Sequence, residues 1–295
     1  MSVLHKNRSS SISSETSKYY IKCDATDTAN RIKIVKLLQK QKDEDSRVLL
    51  AYLETNRSKM NIVVKMGREN TTIRKEYSMS QRLHSANCSG FIKFTCIFEC
   101  YDNNSPDKIC QGTPENTKEV LIMKYFNEGS IKSHSWKNTN FHILRSVLIQ
   151  TIYSLVVAYH NTGFIHNDSH LDNILIKRTT RAHSDYQIDG RIIEVETNNY
   201  TCVIMDFENC LFTDKNSPLF FWKMIENIIA RVGIELTTNK GDKIEVSNIY
   251  EILAYISSNK NNNYLHILNI IPMIHRMEFT VLRFPKTMVY DSTIY

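Results

Sequence analysis

The stretch GFIHNDSHLDNILI, residues 163–176, decides how the rest of the chain is read. His166, Asp168, His170, Asp172 and Asn173 crowd into eight positions between the apolar ends Phe164-Ile165 and Ile174-Leu175-Ile176. An exposed loop has no need of such anchors, and a core strand does not tolerate five polar side chains. The pattern predicts a polar loop held rigidly at both ends, which is the arrangement a catalytic constellation requires.

Upstream, FHILRSVLIQTIYSLVVAYHNTG (141–163) places Leu144, Val147, Leu148, Thr151, Ile152, Leu155 and Tyr159 at i, i+3, i+4 spacing, an amphipathic helix stopped by Gly163. Downstream, a polar insert over about 178–200 carries Asp189-Gly190, a hairpin signal. The strand YTCVIMDFEN then ends in acid, and FFWKMIENIIARVGI, VSNIYEILAYIS and YLHILNIIPMIHRM read as helices. The first part of the chain differs in character. RIKIVKLL, RVLLAYLE and MNIVVKM are short β-branched runs separated by QKQKDEDS and TNRSK, the signature of an antiparallel meander. ENTTIRKEYSMSQRL follows as a helix with Ile73, Tyr77, Ser80 and Leu83 on one face, and GFIKFTCIFECY and EVLIMKYF are two further strands around a proline-containing loop. Strands with one helix precede helices, so the expected class is α+β in two lobes sharing a cleft. The expected boundaries are a polar tail over 1–30, a strand-rich lobe over 31–123, and a hinge with a helical lobe over 124–295.

Composition excludes several classes. Of the 295 residues 42% are hydrophobic and 23% charged, the ordinary balance of a globular chain. No uninterrupted apolar run approaches the ~20 residues that span a bilayer. The serine-rich start, MSVLHKNRSSSISSETSKYY, lacks the apolar core of a secretory signal. The formal charge of +6 is mild, and no aromatic-basic interleaving indicates nucleic acid. The seven cysteines form no CxxC pair and no zinc-spaced cluster, which predicts reduced, buried thiols in an intracellular, cytoplasmic protein.

The motifs, taken together and in order, resemble those of the protein-kinase-like phosphotransferases. HNDSHLDN is similar to the catalytic loop H-x-D-x-x-x-x-N, VIMDFEN to the strand ending in a metal-binding Asp-Phe, and NIVVK to the strand with a phosphate-binding lysine. RKEYSMSQRL resembles the helix supplying that lysine's glutamate partner, and EVLIMKYFNEGS the strand and hinge between lobes. The resemblance covers about residues 31–230. It implies a two-lobed kinase-like fold, ATP and Mg²⁺ as cofactors, and a protein substrate phosphorylated on serine or threonine. It further implies Asp168 as the base for the attacking hydroxyl, Asn173 and Asp206 as magnesium ligands, and Lys65 on the α- and β-phosphates. Glu76, or Glu69 nearer the helix start, would hold Lys65. Met123 would be the gatekeeper, and Lys124, Tyr125 and Phe126 the adenine-contacting hinge. His166 would order the loop backbone.

Four departures from the pattern matter. None of the eight glycines precedes Gly67, so there is no glycine-rich loop, and Lys40 and Lys42 stand where side-chain charge could replace its amides. His170 occupies the place of a lysine usual in protein kinases, as in haspin-like kinases and small-molecule phosphotransferases, and could hydrogen-bond a γ-phosphate. The metal motif is Asp206-Phe207-Glu208 without its glycine. Finally, only about a dozen residues separate Asp206 from the next helix, little room for an activation segment. The overall likeness is to compact, divergent kinases encoded by large DNA viruses. An inactive scaffold and a small-molecule kinase are the competing readings.

Overall fold

The computed structural model describes residues 25–40, 46–54, 58–68, 72–103, 105, 108–215, 218–236 and 242–282. The chain forms two compact units. One contains residues up to Ser85 together with Ile92–Tyr125, and the other contains Ala86–Phe91 with the chain from Phe126 onward. The architecture is mixed α and β with an antiparallel sheet and several helices, in agreement with the α+β expectation.

The first unit begins with α1 (Ala25–Asn30), a helical turn inside what the sequence reads as a polar tail. Strands β1 (Ile32–Lys40), β2 (Arg47–Glu54) and β3 (Lys59–Arg68) form the expected meander, followed by α2 (Thr72–Ser85), β4 (Phe94–Tyr101) and β5 (Thr117–Lys124). The sheet order is β1-β2-β3-β5-β4, with every pairing antiparallel. The meander therefore does not continue: β5 inserts between β3 and β4. Alternation explains the registration. Along β2, Arg47, Leu49 and Ala51 are buried while Val48 and Leu50 are only half-buried, so one face meets the core of Ile62, Val64, Met66, Phe98, Val120 and Ile122. Helix α2 buries Ile73, Tyr77, Ser80 and Leu83, the expected face, and adds Glu76 to it.

The second unit is organised around α3 (Phe141–Thr162), which ends where expected: Gly163 takes φ +73° and its N–H donates to the Tyr159 carbonyl at 2.8 Å. The expectation of an amphipathic helix is corrected in part, because sixteen of its 22 residues are buried and a narrow stripe through His142, Arg145, Tyr153 and His160 is left partly exposed. By length and composition α3 could cross a membrane, yet 83% of its most apolar window lies inside the fold. Its polar side chains attach its neighbours: Ser146 donates to the Glu196 carbonyl at 2.6 Å and Gln150 to the Tyr200 carbonyl at 2.9 Å. After α3 come β6 (Phe164–Ile165), β7 (Ile174–Arg178), the hairpin β8 (His183–Ile188) and β9 (Arg191–Glu196), then β10 (Tyr200–Ile204) and β11 (Leu211–Phe212). The hairpin turns at Asp189 (φ 49°) and Gly190 (φ 74°), two left-handed residues as the expected tight turn demands. Residues 86–91 join this unit through the Ile204 N–H, which donates to the Gly90 carbonyl at 2.8 Å.

The unit closes with α4 (Leu219–Glu235), β12 (Lys243–Val246), α5 (Ile249–Asn259), α6 (Ile271–His275) and β13 (Phe279–Leu282). The stretch Tyr264–Ile270 is 3₁₀ rather than the start of a long α-helix, and Pro272 lies in the first turn of the short α6 that follows. The pairing of β12 with β13 was not expected from the sequence.

The cysteine reading is corrected in part. Cys88, Cys202 and Cys210 are free and buried, as expected. Cys100 and Cys110 instead form a disulfide, and Cys96 is also disulfide-bonded. Sequence spacing cannot reveal such a pair, because the fold alone brings the end of β4 beside residue 110.

Candidate functional site

In the first unit, register decides what Lys65 can reach. Lys65 sits opposite Val48 on β2 and Leu121 on β5, in the middle of the sheet. Its ammonium forms an ion pair with Glu76 of α2, and the two side chains are 12% and 2% exposed. Of the two candidate partners, Glu69 lies outside the described residues, as does Lys42. Lys40 ends β1 opposite Arg47. Met123 is buried between Val63 and Phe94 on its flanking strands, Lys124 is exposed, and the Tyr125 N–H donates to the Asn61 carbonyl at 3.1 Å. Phe126 is half-buried, and its carbonyl accepts from Gly129 N–H at 3.3 Å in the second unit.

In the second unit, residues 164–176 are held at both ends as anticipated. Strand β6 pairs with β11, and β7 pairs with β10, with Ile174 opposite Ile204. The loop between is knitted by its own backbone. Asp168 N–H donates to the His166 carbonyl at 2.7 Å, His170 N–H to the Asp168 carbonyl at 2.9 Å, and Asn173 N–H to the His170 carbonyl at 3.0 Å. The Asn173 side-chain amide donates to the Asp168 carbonyl at 3.0 Å, so the two residues five apart share one tight turn. Met205 N–H donates to the Asn173 carbonyl at 2.9 Å, which ties that turn to the residue before Asp206.

His166 supplies a second tie. Its ring is fully buried, Nε2 lies 2.8 Å from the Met205 carbonyl, and Nδ1 has no hydrogen-bond partner. A carbonyl partner requires Nε2 to carry the hydrogen, which leaves Nδ1 bare in the neutral ring. Burial pushes the imidazole below its usual range, and the Met205 carbonyl and the charges of Asp206 and Asp168 oppose this only in part. Phe207 is buried against Phe91, Phe164 and His166. Asp206 itself adopts φ 66°, and among the described residues Glu208 is not in the left-handed region. The missing glycine therefore costs no strain at position 208; the unusual backbone lies at Asp206.

Sequence reading missed several contributors. Asn209 donates to Asp168 Oδ2 at 3.3 Å, Ser169 to the Met224 carbonyl of α4 at 3.1 Å, and the Cys210 thiol to the His166 carbonyl at 3.2 Å. His170 lies 3.8 Å from Asp168 Oδ1 through Nε2 and 3.9 Å from Asp172 Oδ2 through Nδ1, and Asp172 in turn pairs with Lys132 at 3.1 Å. Only Asn209 carried any signal, as an amide three residues beyond Asp206.

The arrangement presents a half-exposed carboxylate, Asp168. The oxygen donors Asn173, Asp206 and Glu208 suit a hard cation such as Mg²⁺, and carboxylate oxygens of Asp206 and Glu208 lie within 4.8 Å of one another.

No protein-family description matches the chain. It is 24% identical to an uncharacterised Caenorhabditis elegans protein over 179 residues, 60% of this chain and 58% of that one. Over 130 residues, 41% of this chain and 20% of the relative, it is 28% identical to an Arabidopsis thaliana protein named as a serine/threonine-protein kinase haspin homolog. Over 60 residues, 19% of this chain and 5% of the relative, it is 38% identical to a Dictyostelium discoideum protein named as a probable serine/threonine-protein kinase. The chain thus spans less than two thirds of each relative. None of the three is viral, so they lend the likeness to viral kinases no support. What they do indicate is a distant, partial relationship to serine/threonine kinases.

Proposed function

We propose that the chain is a kinase-like, ATP- and magnesium-dependent phosphotransferase acting on serine or threonine hydroxyls of a protein. One observation carries the reading: the turn bearing Asp168 and Asn173 is bonded to the segment bearing Asp206 through both the Met205 N–H and the His166 ring. Phosphoryl transfer needs positioning and charge neutralisation more than covalent help, and this is a positioning device. Asp168 takes the hydroxyl proton, Asn173 and Asp206 hold Mg²⁺ when it is bound, and Mg²⁺ neutralises phosphate charge. Lys65, kept in place by Glu76, binds the α- and β-phosphates, and Met123 to Phe126 border the adenine. His170 can hydrogen-bond the γ-phosphate. The partial similarity to named serine/threonine kinases supports the substrate class.

Two other readings rest on specific features. The absence of any glycine before Gly67, with Glu208 beside the metal ligand, favours a scaffold without turnover. The short span from Asp206 to α4 at Leu219 favours a small-molecule substrate. The deciding experiment incubates the purified chain with γ-labelled ATP, magnesium and generic protein substrates. Turnover is expected, and Asp168→Asn, isosteric but unable to accept the proton, should lower it ~100- to 10,000-fold. Near wild-type turnover in the variant removes Asp168 as the base. Magnesium-dependent nucleotide binding without labelling of any protein favours the small-molecule reading, and no nucleotide binding favours the scaffold.

A further inference from the structure

The Cys100–Cys110 disulfide is half-buried and forms part of the wall of a cavity of about 420 Å³ in the first unit. That volume lies in the range of small-ligand sites. Ala25, Ala29, Ile32 and Ile109 give the cavity an apolar wall, and Lys33 and Lys108 line it with positive charge. Glu99 also lines it, but its carboxylate is engaged by Arg74. Among the described residues no ion pair involves Lys33 or Lys108.

The bond closes a loop of sequence separation 10, and that loop grips the start of β2. Asp102 is 1% exposed; its Oδ1 accepts from the Cys110 N–H at 2.9 Å and its Oδ2 from Arg47 at 2.7 Å. Arg47 also donates to the Ser105 carbonyl at 2.6 Å, while its Nε is buried without a partner. Arg47 is the first residue of β2, and its neighbour Val48 is registered with Lys65. Opening the disulfide removes the covalent tie that keeps the Cys110 N–H and the Ser105 carbonyl in place around a buried charge pair. A buried ion pair holds only while its remaining hydrogen bonds are satisfied.

We propose that this cavity is a binding and exchange site for a small anionic thiol, and that exchange there releases the Asp102–Arg47 clamp on β2. A bound thiolate attacks one Sγ of the disulfide; the S–S bond breaks and its electron pair leaves on the other cysteine as thiolate, giving a mixed disulfide. A second thiolate attacks the small thiol's sulfur in the mixed disulfide; that S–S bond breaks, its electron pair leaves on the protein cysteine as thiolate, and the small-molecule disulfide departs. The net change is two thiols and one protein disulfide converted to two protein thiols and one small-molecule disulfide, with the thiol as reductant. Lys33 and Lys108 attract the carboxylates of the incoming thiol and stabilise thiolate at the cavity. The inference does not depend on the phosphotransfer reading.

The test uses the full chain purified without reductant, reduced glutathione as the anionic thiol and 2-mercaptoethanol as the neutral one. Peptide mass spectrometry follows Cys100 and Cys110 separately from Cys96. Glutathione should form a mixed disulfide at Cys100 or Cys110. Its opening rate should fall at least ~10-fold in the Lys33→Ala, Lys108→Ala double variant, the lower end of what local charge gives an association rate, while the rate with 2-mercaptoethanol, which carries no carboxylate, falls clearly less. Amide exchange over residues 47–50 and 101–110 should rise on opening. The Cys100→Ser, Cys110→Ser double variant should show the same rise with no thiol added and the Cys96 bond intact. The proposal is overturned if the two cysteines alkylate fully in the unreduced chain. It is equally overturned if the lysine variant slows both thiols alike or neither, or if opening leaves exchange over 47–50 unchanged.

Discussion

A buried, neutral imidazole is the hinge pin of the candidate loop. Because burial holds His166 below its ordinary range, the folded state resists protonating it whereas the unfolded chain titrates near ~6.5. The unfolded state therefore binds more protons below that value. The contribution of His166 is complete above pH ~6.5 and is lost as pH falls toward its folded value. Urea denaturation at pH 7.5 and 5.5 should show the wild type losing more stability than His166→Gln, which cannot titrate. Equal losses would mean that other groups carry the acid response. Lys65 and Glu76 make the second prediction at this scale. With side chains only 12% and 2% exposed, removing one partner takes away the charge that compensates the other in a buried place. Glu76→Gln should cost ~3–5 kcal/mol in chemical denaturation. A loss below ~1 kcal/mol would put the pair in the class of solvent-screened surface bridges.

At the scale of the element, two glycines at similar φ separate conformational from steric cost. Gly190 at the hairpin tip has φ +74° and open space around a would-be Cβ, so Gly190→Ala should cost only the left-handed penalty of ~1–2 kcal/mol. Gly163 ends α3 at φ +73° with a would-be Cβ 2.1 Å from the Thr213 carbonyl oxygen. That oxygen belongs to a backbone already fixed by the Thr213 N–H, which donates to the Gly163 carbonyl at 2.8 Å. Gly163→Ala should therefore lose a further ~1–3 kcal/mol for overpacking. Equal melting temperatures for the two variants would show that the chain after α3 shifts freely. The lysines at and after the end of β1 give a prediction about ligands. If side-chain charge near Lys40 replaces glycine-loop amides, ATP affinity is modest and falls steeply with salt, since exposed charges are screened over ~8 Å at physiological ionic strength. Lys40→Ala, Lys42→Ala should raise KM for ATP more than it lowers kcat. An unchanged KM at low and high salt would leave these lysines no part in nucleotide binding.

For the whole molecule, nucleotide binding is a linkage effect. A ligand that binds only the folded chain stabilises it by ~2.7 kcal/mol at one hundred times its Kd. Millimolar ATP or ADP should raise the melting temperature in the presence of magnesium, and less in its absence. No magnesium-dependent shift would remove the phosphotransfer reading and leave the scaffold. The three relatives share 60%, 41% and 19% of this chain, so activity has to be tested on this protein rather than carried over.

Local pattern carried far in this chain. The three strand runs of the first meander, the Ile73-Tyr77-Ser80-Leu83 face, the glycine that stops α3, the Asp189-Gly190 turn and the anchored loop around Asp168 were all legible in sequence. Each depends on dihedral preferences or on the period of burial within a few neighbouring residues, which a linear sequence records directly. What tertiary structure alone decided involves partners distant in sequence. It inserted β5 between β3 and β4, joined Cys100 to Cys110, closed Arg47 on Asp102 across 55 residues, and brought the Met205 carbonyl to the His166 ring across 39. It also buried most of α3, because the β8–β9 hairpin and the later helices cover much of the face that periodicity leaves polar. Such pairings are selected by loop-closure entropy and by competition among many apolar faces, and neither quantity is written in any one stretch of residues.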